Sequence, residues 1–177
     1  MNYLDVGCGV GAFLPYVHDW FNSTHGCDIS EQSIAKAIEM NAQAQFTAYD
    51  GHVLPYDDAS FDVLTTVCVV HHVPPVQWLQ YFSELRRVLK PGGMACVIEH
   101  NPLNPLTRLA VARCEFDDDA VLLTQWKTAD LFKQAHFDHC VTVNFLFLPF
   151  EHKLAAGFEK MNAKLPLGAQ YVSFARA

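Results

Sequence analysis

The chain has 177 residues, enough for one domain with its own core and too few for two full ones. Hydrophobic residues make up 51% and charged residues 18%, which excludes a disordered tail and provides a core that needs no staple. The formal net charge of −7 argues against nucleic acid as a partner, because phosphate binding needs clustered Lys and Arg. The densest basic group, Arg86, Arg87 and Lys90, reads as a solvated helix face.

In chain order, Tyr3 to Val6 is a short apolar strand that runs into glycines. Ala12 to Trp20 carries Phe13, Val17 and Trp20 at helical spacing. His25 to Ile29 is a second strand. Ser30 can cap a helix to about Met40 with Ile34 and Ile38 inward. Gln45 to Tyr49 is a third strand, and Phe61 to Val70 is a fourth. The fourth is apolar nearly throughout, as in the middle of a covered sheet. After Pro74-Pro75 a helix places Trp78, Leu79, Phe82, Leu85 and Leu89 on one face, and Pro91-Gly92-Gly93 ends it. Met94 to Glu99 is a fifth strand. Asn101 to Asp119 is irregular, with an acidic triplet at Asp117 to Asp119. Thr128 caps a helix through Ala135, and Val141 to Phe150 is a strongly apolar strand. Lys153 to Lys164 is a helix with Leu154, Phe158 and Met161 inward. Pro166 to Gly168 turns the chain into a last strand, Gln170 to Ala175. Such alternation predicts an α/β fold with a mostly parallel sheet and helices on both faces.

The six cysteines contain no CxxC pair and match no zinc spacing, so no metal site is expected. Most lie in apolar runs and read as buried thiols in a reducing compartment. The chain opens without the basic and apolar regions of a signal peptide. No apolar run approaches the ~18 residues of a membrane helix. The expectation is a cytoplasmic protein without a membrane partner.

Leu4-Asp5-Val6-Gly7-Cys8-Gly9-Val10-Gly11 is the decisive segment. Glycine is needed where a backbone turns tightly and lies against a ligand, because a Cβ would collide. Gly7, Gly9 and Ala12 also satisfy the dinucleotide pattern GxGxxA, so a nicotinamide enzyme must be weighed. Asp5 before the glycines would repel a pyrophosphate but suits a ligand with a sulfonium and an ammonium. Asp28, about 20 residues on, can accept from both hydroxyls of a ribose with either ligand. After the third strand, Asp50 can accept from an adenine amino group. Each has a plain alternative: Asp5 a turn former, Asp28 a neighbour of the helix cap, Asp50-Gly51 a simple turn.

These segments, with Gly26-Cys27-Asp28-Ile29-Ser30, Leu54-Pro55-Tyr56, Ser60-Phe61-Asp62-Val63, His71-His72-Val73 and Arg87-Val88-Leu89-Lys90-Pro91-Gly92-Gly93, stand in an order that resembles the class I S-adenosylmethionine-dependent methyltransferases, a Rossmann-like family. The resemblance is specific through Glu99 and architectural beyond it. It implies a doubly wound seven-stranded sheet of order 3-2-1-4-5-7-6 with the last strand antiparallel. It also implies one domain over 1–177, with 1–100 the cofactor-binding half and 101–177 the substrate-side half. S-adenosylmethionine is the implied cofactor. Gly7, Cys8, Gly9 and Gly11 would form its loop, and Asp5 would help hold the amino end. Asp28 would take the ribose, with Ile29 against the adenine. Asp50 and the Gly51 amide would take the adenine edge, and a carbonyl near Val67 the ammonium. Family members usually carry a helical segment before the first strand, so a more open cleft and weaker cofactor affinity are expected for a chain beginning here.

Methyl transfer needs exclusion of water, an aligned nucleophile and, for a hydroxyl or amine, a proton acceptor. Histidine has a suitable pKa, which makes His72 the first candidate base and His100 the second. His71, Asn101 and Arg108 are the candidate substrate contacts. Glu99 would either bind substrate or order its loop, and Arg108 would otherwise pair with Glu115 or the acidic triplet. The expected acceptor is a small molecule. A non-catalytic subunit docked on a partner is one alternative. A nicotinamide-dependent oxidoreductase is the other, disfavoured by Asp5 and by the Lys90-Pro91-Gly92-Gly93 turn.

Overall fold

The computed structural model describes residues 1–147 and 153–177, without the side chains of 153–156 and 158. Seven strands and five α-helices follow in the order β1 Asn2–Val6, β2 Ser23–Asp28, α1 Glu31–Met40, β3 Gln45–Ala48, β4 Phe61–Val67, α2 Trp78–Val88, β5 Leu89–His100, α3 Pro105–Val111, α4 Gln125–Gln134, β6 Asp138–Phe145, α5 Lys153–Asn162 and β7 Gln170–Arg176. They form one sheet of order β3-β2-β1-β4-β5-β7-β6. β1 to β5 pair in parallel, and β7 runs antiparallel to both β5 and β6. This is the architecture the resemblance implies.

The central strands are buried because helices pack around the sheet. The main core joins Leu4 and Val6 of β1 to Phe82 and Leu85 of α2 and to Leu131 and Phe132 of α4. A smaller cluster of Cys8, Leu14 and Ile34 packs with Phe46 of β3. Ser30 caps α1 as predicted, its Oγ accepting from the Ser33 amide at 3.2 Å. Among the described residues, no helix is long and apolar enough to cross a membrane.

Local periodicity misleads at several points. Ala12 to Trp20 forms two 3-10 turns, Leu14–Tyr16 and His18–Trp20, rather than an α-helix. Pro15 offers no amide donor, and Val17, at φ −122°, leaves the helical region between the turns. Trp20 is exposed, as is Ile38 of α1, where the small Ala37 is buried beside Ile34 instead. In α2 the inward face is Trp78, Tyr81, Phe82, Leu85 and Val88, while Leu79 is exposed and Leu89 already belongs to β5. Pro91-Gly92-Gly93 forms an irregularity within β5, with Gly92 at φ +77°. Thr124, not Thr128, caps α4. Its hydroxyl accepts from the Lys127 amide at 3.3 Å, whereas Thr128 is buried one turn on against the Tyr171 hydroxyl at 2.7 Å.

The Asn101 to Asp119 stretch, read as irregular, contains α3, capped by Asn104, and a 3-10 turn at Glu115–Asp117. β6 is an edge strand with Val141 exposed, and the expected continuation over Leu148 to Phe150 lies outside the described residues. In α5, Met161 is exposed rather than inward, and the side chains of Leu154 and Phe158 lie outside the described set. All six cysteines are free. Cys8, Cys27 and Cys96 are buried, Cys68 and Cys114 half-buried, and Cys140, expected inside, is exposed on β6.

Candidate active site

At the carboxyl end of β1 the chain turns on three glycines of positive φ: Gly7 at +74°, Gly9 at +52° and Gly11 at +73°. A Cβ on Gly7 would stand 2.4 Å from a Val69 methyl, so this glycine lets the loop close against the end of β4. A Cβ on Gly9 would meet nothing within 4 Å, which leaves open space above the loop. The Gly7 and Cys8 amides both donate to the Cys27 carbonyl, at 2.7 and 3.0 Å. Cys8 itself is buried under the loop.

Asp28 ends β2 and locks this loop. Its Oδ2 accepts from the Gly9 amide and its Oδ1 from the Ser30 amide, both at 2.8 Å. Each oxygen keeps a lone pair for a further donor. Asp50, exposed after β3, accepts through Oδ1 from the His52 and Val53 amides at 2.9 and 3.3 Å. These bonds hold its carboxyl below the usual range. The turn expected as the plain alternative is present at Asp50. A Cβ on Gly51 would sit 3.3 Å from Ile29, which is itself exposed.

One cavity of about 370 Å³ brings these residues together. Gly7, Asp28, Ile29, Asp50 and Gly51 line one part, and Cys68, Val69, His72, Gln77 and Tyr81 also face it. Its size falls within the range of small-molecule sites. Burial pushes the Cys68 thiol up to about 12, so it stays protonated and offers no thiolate. Glycines with space above them, carboxylates with spare acceptor capacity, and the aliphatic face of Ile29 and Val69 fit an adenosyl ligand.

The other predicted residues are placed differently. Asp5 does not line the cavity. It is buried in the sheet and accepts from the Thr65 hydroxyl at 2.8 Å. Burial pushes its carboxyl up to about 7, against the Thr65 bond and with help from the Asp28 charge. Val67 is the last residue of β4, immediately before the cavity residues Cys68 and Val69.

The 3-10 turn Val70–His72 separates the two adjacent histidines. His72 reaches the cavity, with its side chain 36% exposed, and its Nδ1 donates to Asp119 at 3.1 Å. His71 is buried, and its Nδ1 donates to Glu99 at 2.6 Å. Burial opposes charge on His71, but Glu99 and Asp117 overcome it and raise the pKa. His100 is half-buried and off the cavity, its ring centroid 5.2 Å from that of His71. Burial, aided by the nearby histidines, lowers its pKa.

Asn101, a predicted substrate contact, is a loop clamp. Its Nδ2 donates to the Pro166 and Gly168 carbonyls at 3.1 and 2.8 Å, and its Oδ1 accepts from the Leu103 amide at 3.0 Å. Arg108 is exposed on α3, does not line the cavity and, among the described residues, makes no ion pair with Glu115 or the acidic triplet. Glu99 takes the loop-ordering role, since its Oε1 accepts from the Val69 and Val70 amides at 3.1 and 2.7 Å. Sequence reasoning missed Gln77, which ends the 3-10 turn Pro75–Gln77 before α2, and Tyr81, which reads as an ordinary residue of the α2 inward face. It also missed Asp117, which no local spacing links to the histidines.

Glycine loop, strand-end carboxylates and sheet order together define a nucleoside-binding α/β enzyme fold. A family model described as a methyltransferase domain matches residues 4–97. The 2-methyl-6-phytyl-1,4-hydroquinone methyltransferase of Synechocystis sp. is 35% identical over 102 residues, covering 55% of this chain and 31% of that protein. The demethylmenaquinone methyltransferase of Roseiflexus castenholzii is 34% identical over 110 residues, covering 59% and 45%. A SAM dependent methyltransferase from Archaeoglobus fulgidus has the same fold, with a TM-score of 0.77 over 99% of this chain and 86% of that one at 16% identity. The chain spans less than half the length of the curated relatives it matches. It belongs to the methyltransferase-domain family, whose cofactor is S-adenosylmethionine.

Proposed function

We propose that the protein transfers a methyl group from S-adenosylmethionine to a metabolite-sized acceptor. The observation that carries this reading is the single cavity in which Asp28, Ile29, Asp50 and Gly51 share walls with His72, Gln77 and Tyr81. Two of the relatives are named for hydroquinone and menaquinone methylation, which favours a small hydroxylated acceptor. The net charge of −7 disfavours nucleic acid. Six free cysteines are consistent with a cytoplasmic setting.

The cofactor supplies a methyl carbon already activated by a sulfonium. In this reading Asp28 accepts from the ribose hydroxyls, the spare capacity of Asp50 and the Gly51 amide meet the adenine edge, and Ile29 packs on its face. The Val67 carbonyl takes the ammonium, while Asp5, its carboxyl pushed up to about 7 by burial, braces β1 against Thr65 of β4 rather than supplying a fixed charge. His72 faces the acceptor. With its Nδ1–H on Asp119, its Nε2, which stands 3.5 Å from Asp117 Oδ1, is the ring atom left to take the acceptor proton. His100, off the cavity, has a positioning role at most. Residues 1–100 carry the cofactor half, and 101–177 supply the carboxylates behind His72.

Calorimetric titration with S-adenosylhomocysteine, paired with transfer of labelled methyl from S-adenosylmethionine into a pool of phenolic and quinol metabolites, tests the proposal. Saturable one-to-one binding with label in a small product is expected. Binding without turnover across the pool would favour a non-catalytic subunit, and absence of binding would overturn the reading.

A further inference from the structure

Behind His72 lies a cluster that cofactor binding does not use. The His71 and His72 rings lie with centroids 4.2 Å apart, and the Nε2 atom of each stands 3.5 Å from the same oxygen, Asp117 Oδ1. All three candidate ligand atoms lie within 4.8 Å of one another. Each ring is turned by a second carboxylate: His71 Nδ1 meets Glu99 at 2.6 Å, and His72 Nδ1 meets Asp119 at 3.1 Å. A carboxylate accepts, so both Nδ1 atoms carry hydrogen, and each Nε2 faces Asp117 either as an N–H or, once that proton is displaced, as a ligand atom.

The three atoms converge on one point, where the positive charge is either a proton on an imidazole Nε2 or a metal ion. A direct N–H···O bond would close to about 2.9 Å. Ligand atoms on a tetrahedral ion with bonds of about 2.0–2.1 Å stand roughly 3.3 Å apart, close to the 3.5 Å from each Nε2 to Asp117 Oδ1. The frame is fixed before any ion arrives. Glu99 is fully buried and held by two amides, and the Val121 amide ties the segment after Asp117 to the His71 carbonyl at 2.8 Å.

We propose that His71 Nε2, His72 Nε2 and Asp117 Oδ1 bind one divalent transition-metal ion of the zinc type, with Glu99 and Asp119 as outer carboxylates. Two imidazoles and one carboxylate select such an ion over magnesium or calcium, which prefer all-oxygen shells. Three protein ligands leave one coordination position open, as in reactive rather than structural zinc sites. Of the three ligands only His72 lines the cavity, so an ion would communicate with it through that residue. An acceptor oxygen reaching the open position is polarised and its pKa lowered. The consequence for catalysis rests on the methyl-transfer reading, and proton and metal are then alternative occupants of His72 Nε2. Binding of the ion does not rest on it. Chain spacing conceals this site because Asp117 joins the adjacent histidines only through the fold.

The test titrates zinc chloride into the full chain, stripped with chelator and free of cofactor. The variants His72→Gln, Asp117→Asn, their combination and Asp119→Asn are titrated alongside, and cobalt(II) spectra report ligand geometry. One equivalent bound at micromolar or tighter affinity is expected, with tetrahedral cobalt absorption. Each ligand variant should weaken binding more than about 100-fold and Asp119→Asn about 10-fold. Wild-type binding no tighter than that of the double variant, or undiminished binding in His72→Gln, would overturn the proposal. The His72 side chain is partly exposed, so His72→Gln decides the matter should Asp117→Asn fail to fold. S-adenosylhomocysteine titrated into the same samples reports on the methyl-transfer reading separately.

Discussion

Asp28 braces the glycine loop through the Gly9 amide and faces the cavity with its remaining acceptor capacity. Removing it takes away two prospective charge-assisted bonds to ligand hydroxyls, each worth about 1.5–3 kcal/mol. Asp28→Ala should therefore weaken S-adenosylhomocysteine binding more than about 100-fold. The loss of stability should be only about 1–2 kcal/mol, from the Gly9 and Ser30 amides. Calorimetry and urea denaturation on one sample separate the two effects, and unchanged affinity would remove Asp28 from the site. Asp5 behaves in the opposite sense. Its ordinary pKa of 3.8 rises in the fold to about 7, so between these values the folded chain holds a proton that the unfolded chain has lost. Its contribution to stability is full below pH 3.8 and falls as pH rises towards 7. Asp28 adds to the rise, and Thr65, itself bonded to the Tyr3 hydroxyl, opposes it. Asp5→Asn should gain on the wild type from pH 5 to pH 8 in urea midpoints, and a constant difference would count against this account.

At the scale of elements, the link between β3 and β4 is held by two side chains of α2, Glu84, which accepts from the Leu54 amide at 2.8 Å, and Arg87. Arg87 donates through Nη1 to the Tyr56 carbonyl and Asp58, at 2.7 and 2.9 Å. Through Nη2 it donates to the Leu54 carbonyl and Glu84, at 2.9 and 2.7 Å. Arg87→Leu leaves two half-buried carbonyls without this donor and should cost about 2–3 kcal/mol. Arg87→Lys should recover less than half, since an ammonium lacks the planar fork. Thermal denaturation measures both, and full recovery by lysine would show that charge alone suffices. The basic cluster read from the sequence as a solvated face thus contains an anchor. What was legible in the sequence is what the chain places locally: the glycine loop, the Ser30 cap, and a carboxylate ending each of two strands. What was hidden depends on rotation and on distant partners. His71 and His72 are neighbours, yet the 3-10 turn sends one into the core and the other to the cavity. Thr124 and Thr128 lie one helical turn apart, and only the packing of Tyr171 on Thr128 decides which is the cap. Asn101 looked chemical because it is polar and follows a strand, and its bonds go instead to the turn before β7.

Across the whole molecule, residues before and after position 100 share one core. Phe132 of α4 meets Phe82 of α2 and Phe137 edge-on, each pair at 4.9 Å, and Ala175 of β7 joins Leu4 and Leu64 in the same cluster. β5 pairs with β7 from Met94 to His100, so a chain cut after residue 100 would present that edge unpaired and uncover the inner face of α2. Residues 1–100 contain the cavity residues but not the packing that holds them. A fragment of 1–100 should show no cooperative urea transition and no S-adenosylhomocysteine binding. The intact chain should unfold in one step, with circular dichroism and fluorescence transitions coinciding. Excess S-adenosylhomocysteine should shift that single transition upward, because only the folded state carries the site. A fragment that unfolds cooperatively would show that the cofactor half is an autonomous domain. Failure to fold would mean that the part matched by the family model depends on 101–177 for its stability, so that changes in 101–177 reach the proposed cofactor site through the shared core.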